Sequence, residues 1–266
     1  MKLENIKCFL LDMDGTIYLG DKLIDGSLDF IETIKNQGKK FLFLTNNSSK
    51  NKLAYKEKLE SLGIKVSEEE VFSSGEATTI YLNKIKPGAK VFLLGTPLLE
   101  EEFIKSGFQI LKDRKEKPDF VVLGFDTTLT YEKLWIACDF IRDGVEYIAT
   151  HPDFNCPLED NKFMPDTGAM IKMIEGSTGK TPLVIGKPEK HIIDSIIEKY
   201  DLKKEELAMV GDRLYTDIAV GKNAGITSIL VMSGETTEEM YKESEIVADY
   251  KFLSIKELND KLNKKQ

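Results

Sequence analysis

Short apolar runs alternate along this chain with longer amphipathic stretches, and no other feature of it restricts the fold as tightly. The runs are Cys8–Leu11, Phe41–Leu44, Val91–Leu94, Phe120–Leu123, Tyr147–Ala149, Leu183–Ile185, Leu207–Val210 and Ser228–Met232. The first of them, Cys8-Phe9-Leu10-Leu11, reads as a buried strand. Between the runs, Leu28–Gln37, Lys52–Leu62, Tyr131–Arg142, Ile192–Tyr200 and Thr216–Ala224 carry helical spacing. Gly38, Gly63, Gly107, Gly144 and Gly225 stand where a helix would end in a left-handed residue. This alternation predicts an α/β fold, a doubly wound parallel sheet whose strands are joined by crossover helices. There is no internal repeat, and the basic stretch near Lys261–Gln266 is expected to fray.

The residues just past each run divide the chain. Leu11 leads into Asp12, Leu44 into Thr45-Asn46, Ile185 into Gly186-Lys187, and Val210 into Gly211-Asp212. Ligands of open parallel sheets bind just beyond the carboxyl ends of the strands. These four runs therefore predict acids, a hydroxyl with an amide, and a lysine at one sheet edge. The middle runs end in Gly95-Thr96-Pro97, Gly124-Phe125-Asp126 and Thr150-His151-Pro152, which carry less reactive chemistry. The expected organisation is a core of residues 1–78 and 181–266, with 79–180 as a second, smaller α/β unit inserted into it.

Charge and composition narrow the function. Lys and Arg total 37 against 45 Asp and Glu, a net charge of −8. That balance, with no long basic run, argues against a nucleic-acid partner. A phosphorylated small molecule would meet the same repulsion, so its site must supply local positive charge. No stretch reaches the roughly 18 consecutive apolar residues of a membrane-spanning helix, and the first residues show no cleavable signal pattern. Cys8, Cys138 and Cys156 are odd in number and lack a Cys-x-x-Cys pair, which fits small core residues in a reducing cytoplasm. Only His151 and His191 are histidines, so any metal must be held by carboxylates.

Asp12-Met13-Asp14-Gly15-Thr16 is the sharpest local signal. Two carboxylates two residues apart can enter one pocket if the chain curls after the strand, and Gly15 permits that curl. An Asp-Gly turn with a capping threonine explains the pentapeptide alone equally well, but a plain turn predicts nothing about the other three strand ends. Taken together, Asp-x-Asp-Gly-Thr, Thr45-Asn46, Gly186-Lys187-Pro188 and Gly211-Asp212 with Asp217 resemble the haloacid dehalogenase (HAD) superfamily of phosphohydrolases. More narrowly, Leu44–Asn47, Gly95–Pro97, Thr150–Asp153 and Ile185–Pro188 resemble its NagD-type, p-nitrophenyl phosphatase-like members. The match runs in order over nearly the whole chain.

The resemblance implies a Rossmann-like core with an inserted α/β cap and a Mg²⁺-dependent phosphomonoesterase that acts on a small phosphorylated metabolite, a sugar phosphate, nucleoside monophosphate or similar compound, and on p-nitrophenyl phosphate in vitro. Asp12 would attack phosphorus and become an aspartyl-phosphate. Asp14 would protonate the leaving oxygen and then take a proton from water, which calls for a pKa above that of an ordinary aspartate. Asp12, Asp212 and the backbone carbonyl of Asp14 would hold the cation. Asp217 could act on the metal through a water or orient another ligand; an acid capping the helix through Ile218–Ala224 is an equal alternative. Thr45, the backbone N–H of Asn46 and the Lys187 ammonium would bind the phosphoryl group. In the cap, Thr96 and Pro97 read as an N-cap and first helical residue, and Tyr131, Leu134, Trp135, Cys138 and Ile141 as core. The family often has asparagine at His151 and glycine at Asp166; these departures fall in cap loops that bear on substrate choice.

Other readings fit less well. A dehalogenase has no leaving oxygen for Asp14 to protonate, and phosphoglucomutase-like relatives usually carry a helical cap. A receiver-type signalling module would be about half this length and has a different order of acids. The pattern has no preference for a monomer over a homo-oligomer.

Overall fold

A computed structural model of the chain describes residues 3–158 and 162–264. The central strand, Cys8–Leu11, has all four side chains buried because it pairs on both edges, in parallel with Lys40–Thr45 and with Leu207–Gly211. From these grows a six-stranded sheet, in the order Tyr250–Phe252, Thr227–Val231, Leu207–Gly211, Cys8–Leu11, Lys40–Thr45, Val71–Ser73. The chain fills one side of the first strand and then, late in the sequence, the other. That places a topological switch point between Cys8–Leu11 and Leu207–Gly211. Phe9 meets Phe30 of the helix Ser27–Asn36 edge-on at 5.7 Å between ring centres, within a core that also takes in Ile34, Phe43 and Leu258.

Contacts divide the chain into two units. The first comprises Met1–Thr45, Tyr55–Phe72 and Lys187–Gln266, and the second Asn46–Ala54 and Ser73–Gly186. The second unit is thus broader than the expected 79–180 and includes a stretch immediately after Thr45. Its five-stranded sheet is parallel throughout, ordered Leu183–Val184, Glu146–Ala149, Phe120–Leu123, Lys90–Leu94, Gln109–Leu111. Its own core is built around Phe92, Phe140, Ile141 and Ile174.

Several expectations need correction. The run Leu183–Ile185 was expected in the first sheet; Leu183–Val184 instead forms the edge of the second, paired with Glu146–Ala149. A short apolar run indicates burial, not which sheet provides it. In the helix Tyr131–Arg142, Cys138 and Ile141 are buried, but Tyr131 is 82% and Trp135 57% exposed. Trp135 lies on the outer flank of the helix, with the Arg114 guanidinium 4.7 Å from its ring centre. The segment Thr216–Ala224 is not one helix but a π-helical turn, Leu214–Ile218, followed by Ala219–Ala224. Cys156 is half-exposed rather than core. The basic tail is helical through Asn263, while Lys265 and Gln266 lie outside the described residues. Thr96 does cap the helix Pro97–Lys105, accepting from the Leu99 N–H at 3.3 Å, and the five helix-ending glycines all have positive φ.

Candidate active site

Asp12 is the first residue past the central strand, and its N–H still donates to the Val210 carbonyl at 2.9 Å. The ladder therefore fixes where its carboxylate starts. Asp212 holds the matching position one strand over, beyond Gly211. The π-helical turn after it brings Asp217 back towards the strand end, where it is fully buried. A side chain on Gly211 would overlap Asp217, and one on Gly15, whose φ is +87°, would come within 2.5 Å of the Asp212 carboxylate. Glycine is required at both for the acids to pack this closely.

One carboxylate oxygen from each of Asp12, Asp212 and Asp217 lies within 4.8 Å of the others. The Lys187 ammonium, 2% exposed, reaches two of them: it donates to Asp12 Oδ1 at 2.6 Å and to Asp217 Oδ1 at 2.7 Å, and to the Leu44 carbonyl at 3.4 Å. Asp217 also accepts the Arg213 backbone N–H at 3.1 Å, so it caps the helical turn and orients the lysine at once. Asp212 is held by the Glu235 N–H at 2.7 Å and the Thr16 hydroxyl at 3.4 Å. Thr45 ends its strand in the same unit, 8% exposed.

The electrostatics follow from three acids sharing one buried ammonium. Burial pushes the Asp12 carboxyl up to about 8; Lys187 pulls against that rise, while Asp217 and Asp212 add to it. Burial and Asp217 push Asp212 up to about 6, against the Glu235 N–H. Burial disfavours the Lys187 charge, but Asp12 and Asp217 outweigh it and hold its pKa above the ordinary lysine range. Lys187 therefore keeps its proton, and the acids remain short of positive charge. Hard divalent cations take oxygen ligands, and a buried set of carboxylates with this deficit fits one: Asp12, Asp212 and Asp217 are the side chains able to hold it.

Asp14 is not part of that trio. Its loop is tight, with the Gly15 N–H donating to the Tyr18 carbonyl at 2.8 Å, and its side chain reaches solvent. Partial burial still raises its pKa above the ordinary aspartate value, against the charges of Lys58 and Arg213. Asn46 falls in the second unit, where its side-chain amide donates to the Asp153 carboxylate at 3.1 Å. Neither Arg213 nor Lys58 is among the residues expected from the sequence. Arg213 follows Asp212 directly and could have been picked out by adjacency; Lys58 sits 4.4 Å over the Tyr18 ring, a meeting that no local pattern announces.

Known proteins resemble this chain over nearly its whole length. The profile of haloacid dehalogenase-like hydrolases matches residues 9–109, and that of HAD-hydrolase-like proteins matches residues 184–258. An acid sugar phosphatase of Staphylococcus saprophyticus is 38% identical over 98% of this chain and 100% of its own. A 4-nitrophenylphosphatase from Thermotoga maritima superposes with a TM-score of 0.92 at 49% identity, covering 97% of this chain and 98% of its own. A glycerol phosphate phosphatase from Mycobacterium tuberculosis, solved in complex with magnesium, gives a TM-score of 0.89 at 28% identity, covering 96% and 76%. The chain belongs to the haloacid dehalogenase-like hydrolases. Within that family it is one of the NagD-type, p-nitrophenyl phosphatase-like enzymes, a phosphoric monoester hydrolase.

Proposed function

We propose that this phosphatase hydrolyses a small phosphorylated metabolite, a sugar or polyol phosphate, with Mg²⁺ and through an aspartyl-phosphate on Asp12. The observation that carries the reading is the Lys187 ammonium bridging Asp12 and Asp217 beside Asp212 at the sheet's switch point. The substrate class rests on the acid sugar and glycerol phosphate phosphatases among the relatives.

Asp12 attacks phosphorus in line with the leaving oxygen, forming an O–P bond as the ester O–P bond breaks. Asp14 is close enough in sequence to serve the same centre; its role would be to give a proton to the leaving alkoxide and then accept one from the attacking water, and partial burial shifts its pKa in the direction that role needs. Lys187 and the hydroxyl of Thr45 bind the phosphoryl oxygens. Lys187 also works against the burial-driven rise of the Asp12 pKa and aims its carboxylate. Asp12, Asp212 and the Asp14 carbonyl, with Asp217 beside them, would hold Mg²⁺, which would supply positive charge to offset that building on the phosphoryl group. The net charge of −8 argues against a nucleic-acid partner, and among the described residues no helix is long and apolar enough to cross a membrane.

The test is inorganic phosphate release from p-nitrophenyl phosphate and a panel of sugar, polyol and nucleoside phosphates, with Mg²⁺ and with EDTA. The reading expects turnover of p-nitrophenyl phosphate and of one sugar or polyol phosphate, lost in EDTA and restored by Mg²⁺. Full activity after exhaustive chelation would overturn the metal role, and a preference for nucleotides alone would overturn the substrate class.

A further inference from the structure

The sheet of the first unit also has a hollow at its other end. At the amino ends of the strands Cys8–Leu11 and Lys40–Thr45, opposite the carboxylate cluster, lies a cavity of about 310 Å³. That is within the range of small-molecule sites, roughly 300–1,000 Å³. Its apolar wall comes from Phe41, Leu42, Leu202 and the Tyr200 ring, and three lysines, Lys35, Lys39 and Lys40, line it as well.

Charge decides what could bind there. The two acids on its wall are engaged elsewhere: Glu70 accepts from the Ser67 N–H and hydroxyl at 2.7 and 3.0 Å, and Glu69 pairs with Lys199 at 3.0 Å. The lysines have no such compensation. Lys35 reaches only the Lys65 carbonyl, and Lys39 the carbonyls of Glu4 and Ile6; among the described residues none of the three forms an ion pair with a carboxylate. Lys35 stands 5.2 Å over the Phe41 ring and Lys39 6.0 Å over that of Phe9, so aromatic faces hold the ammonium groups beside apolar surface. Burial depresses the Lys39 pKa, and the charge of Glu4 offsets that only in part, the response of a cation short of counter-charge.

We propose that this cavity is a second, non-catalytic ligand site that takes a small organic anion with a flat apolar body, the body against Phe41 and Leu202 and the anionic group among Lys35, Lys39 and Lys40.

The probe is 8-anilinonaphthalene-1-sulfonate, titrated into the full-length Mg²⁺-loaded protein by fluorescence, with amide NMR shifts to locate it. Expected is one saturable site that persists in saturating inorganic phosphate and shifts the amides of Cys8, Phe41 and Leu42. Binding should weaken at least tenfold for the neutral N-phenyl-1-naphthylamine and in Lys35→Gln/Lys40→Gln, whose changes lie outside the catalytic set. Leu202→Trp, which fills the hollow but keeps the lysines, should abolish it. The proposal is overturned by the absence of saturable binding up to millimolar probe, by displacement with phosphate, or by affinity indifferent to the lysine and Leu202 changes.

Discussion

The two sheets of this protein are built alike, yet only one has the makings of a reactive site. Each is parallel, and each has a point where the strand order turns back: between Cys8–Leu11 and Leu207–Gly211 in the first unit, and between Lys90–Leu94 and Phe120–Leu123 in the second. In the first, the residues past the strand ends are Asp12 and Asp212, with Asp217 and Lys187 brought in beside them. In the second, the chain continues as Gly95-Thr96 and Gly124-Phe125-Asp126, and every polar group there has a structural task. Thr96 caps a helix and donates to the Ser49 carbonyl, and Asp126 takes Lys133 at 2.9 Å and the Thr128 N–H and hydroxyl. Leu99, fully buried, rests its methyl groups on Gly75, Gly95 and Gly124 so closely that a side chain at any of the three would collide with it. A switch point is therefore a location, not an activity. Packed with a leucine and satisfied hydrogen bonds it stabilises a fold; left with three acids and one ammonium it stores charge that a cation and a phosphoryl group can use.

The sharpest way to break that contrast is at Asp12. Asp12→Asn keeps the shape of the side chain but removes the nucleophile, and phosphate release from p-nitrophenyl phosphate should fall by at least about 10³-fold. A variant within tenfold of the parent would remove Asp12 from the chemistry. Asp14→Asn should slow an alkyl phosphate by about 10²–10⁴-fold, but p-nitrophenyl phosphate much less, because nitrophenolate leaves without a proton. Equal losses on both substrates would count against Asp14 as the acid. Lys187→Met leaves Asp12 and Asp217 buried together without their shared ammonium. Breaking a buried pair on one side costs about 3–5 kcal/mol, so the metal-free variant should unfold at clearly lower denaturant concentration as well as losing turnover. Stability within about 1 kcal/mol of the parent would mean that the lysine is not the group compensating these acids.

How much of this could be read in the amino acids depends on what kind of fact is asked for. Burial and period are local, so the strands Cys8–Leu11 and Phe120–Leu123 and the helix Tyr131–Arg142 were legible to the residue. Membership of a sheet is not local: Leu183–Val184 looks like any other apolar run, and only its register with Ile148 and Ala149 assigns it to the second sheet. The side chain of Lys187 nonetheless reaches the first unit's acids, because the chain crosses between units at Gly186–Lys187. Asp12 and Asp212 were visible as acids just past apolar runs, and Asp217 as the acid that follows Asp212, whereas the loop that fixes Asp212 was not. Gly234 and the Glu235 N–H stand more than twenty residues away, and only the folded chain shows that a side chain at Gly234 would strike the Asp212 carboxylate. Edge strands such as Gln109–Leu111 and Tyr250–Phe252, only partly buried, carry too weak an apolar signal to be found.

The stabilising side of the comparison can be tested at Leu99. Leu99→Ala removes the side chain that fills the second switch point, and the three surrounding glycines have no atoms with which to refill it. The cost should be about 2–5 kcal/mol of stability, towards the upper end if the hollow stays empty. Measured by denaturant unfolding, a loss below about 1 kcal/mol would show that the crevice collapses readily and that Leu99 is not its plug.

The smallest effect is also the one most specific to the charge deficit. A carboxyl whose folded pKa lies above its unfolded value of about 3.9 binds its proton more tightly when folded. Its contribution is therefore fully present below that value and is lost as pH rises through the folded pKa. For Asp212 the window closes near 6 and for Asp12 near 8. The metal-free protein should accordingly lose stability, read as a falling Tm, as pH climbs from about 4 to 8. Mg²⁺ binds the ionised carboxylates, so adding it should flatten or reverse the trend, with affinity rising up to about tenfold per pH unit between 6 and 8 and protons released on binding. Asp12→Asn should remove the upper part of the window and leave the lower part near pH 6. A metal-free Tm that rises steadily over the same range, or a Mg²⁺ affinity that does not depend on pH there, would mean that Lys187 already neutralises these acids and that the site has no unmet charge for a cation to answer.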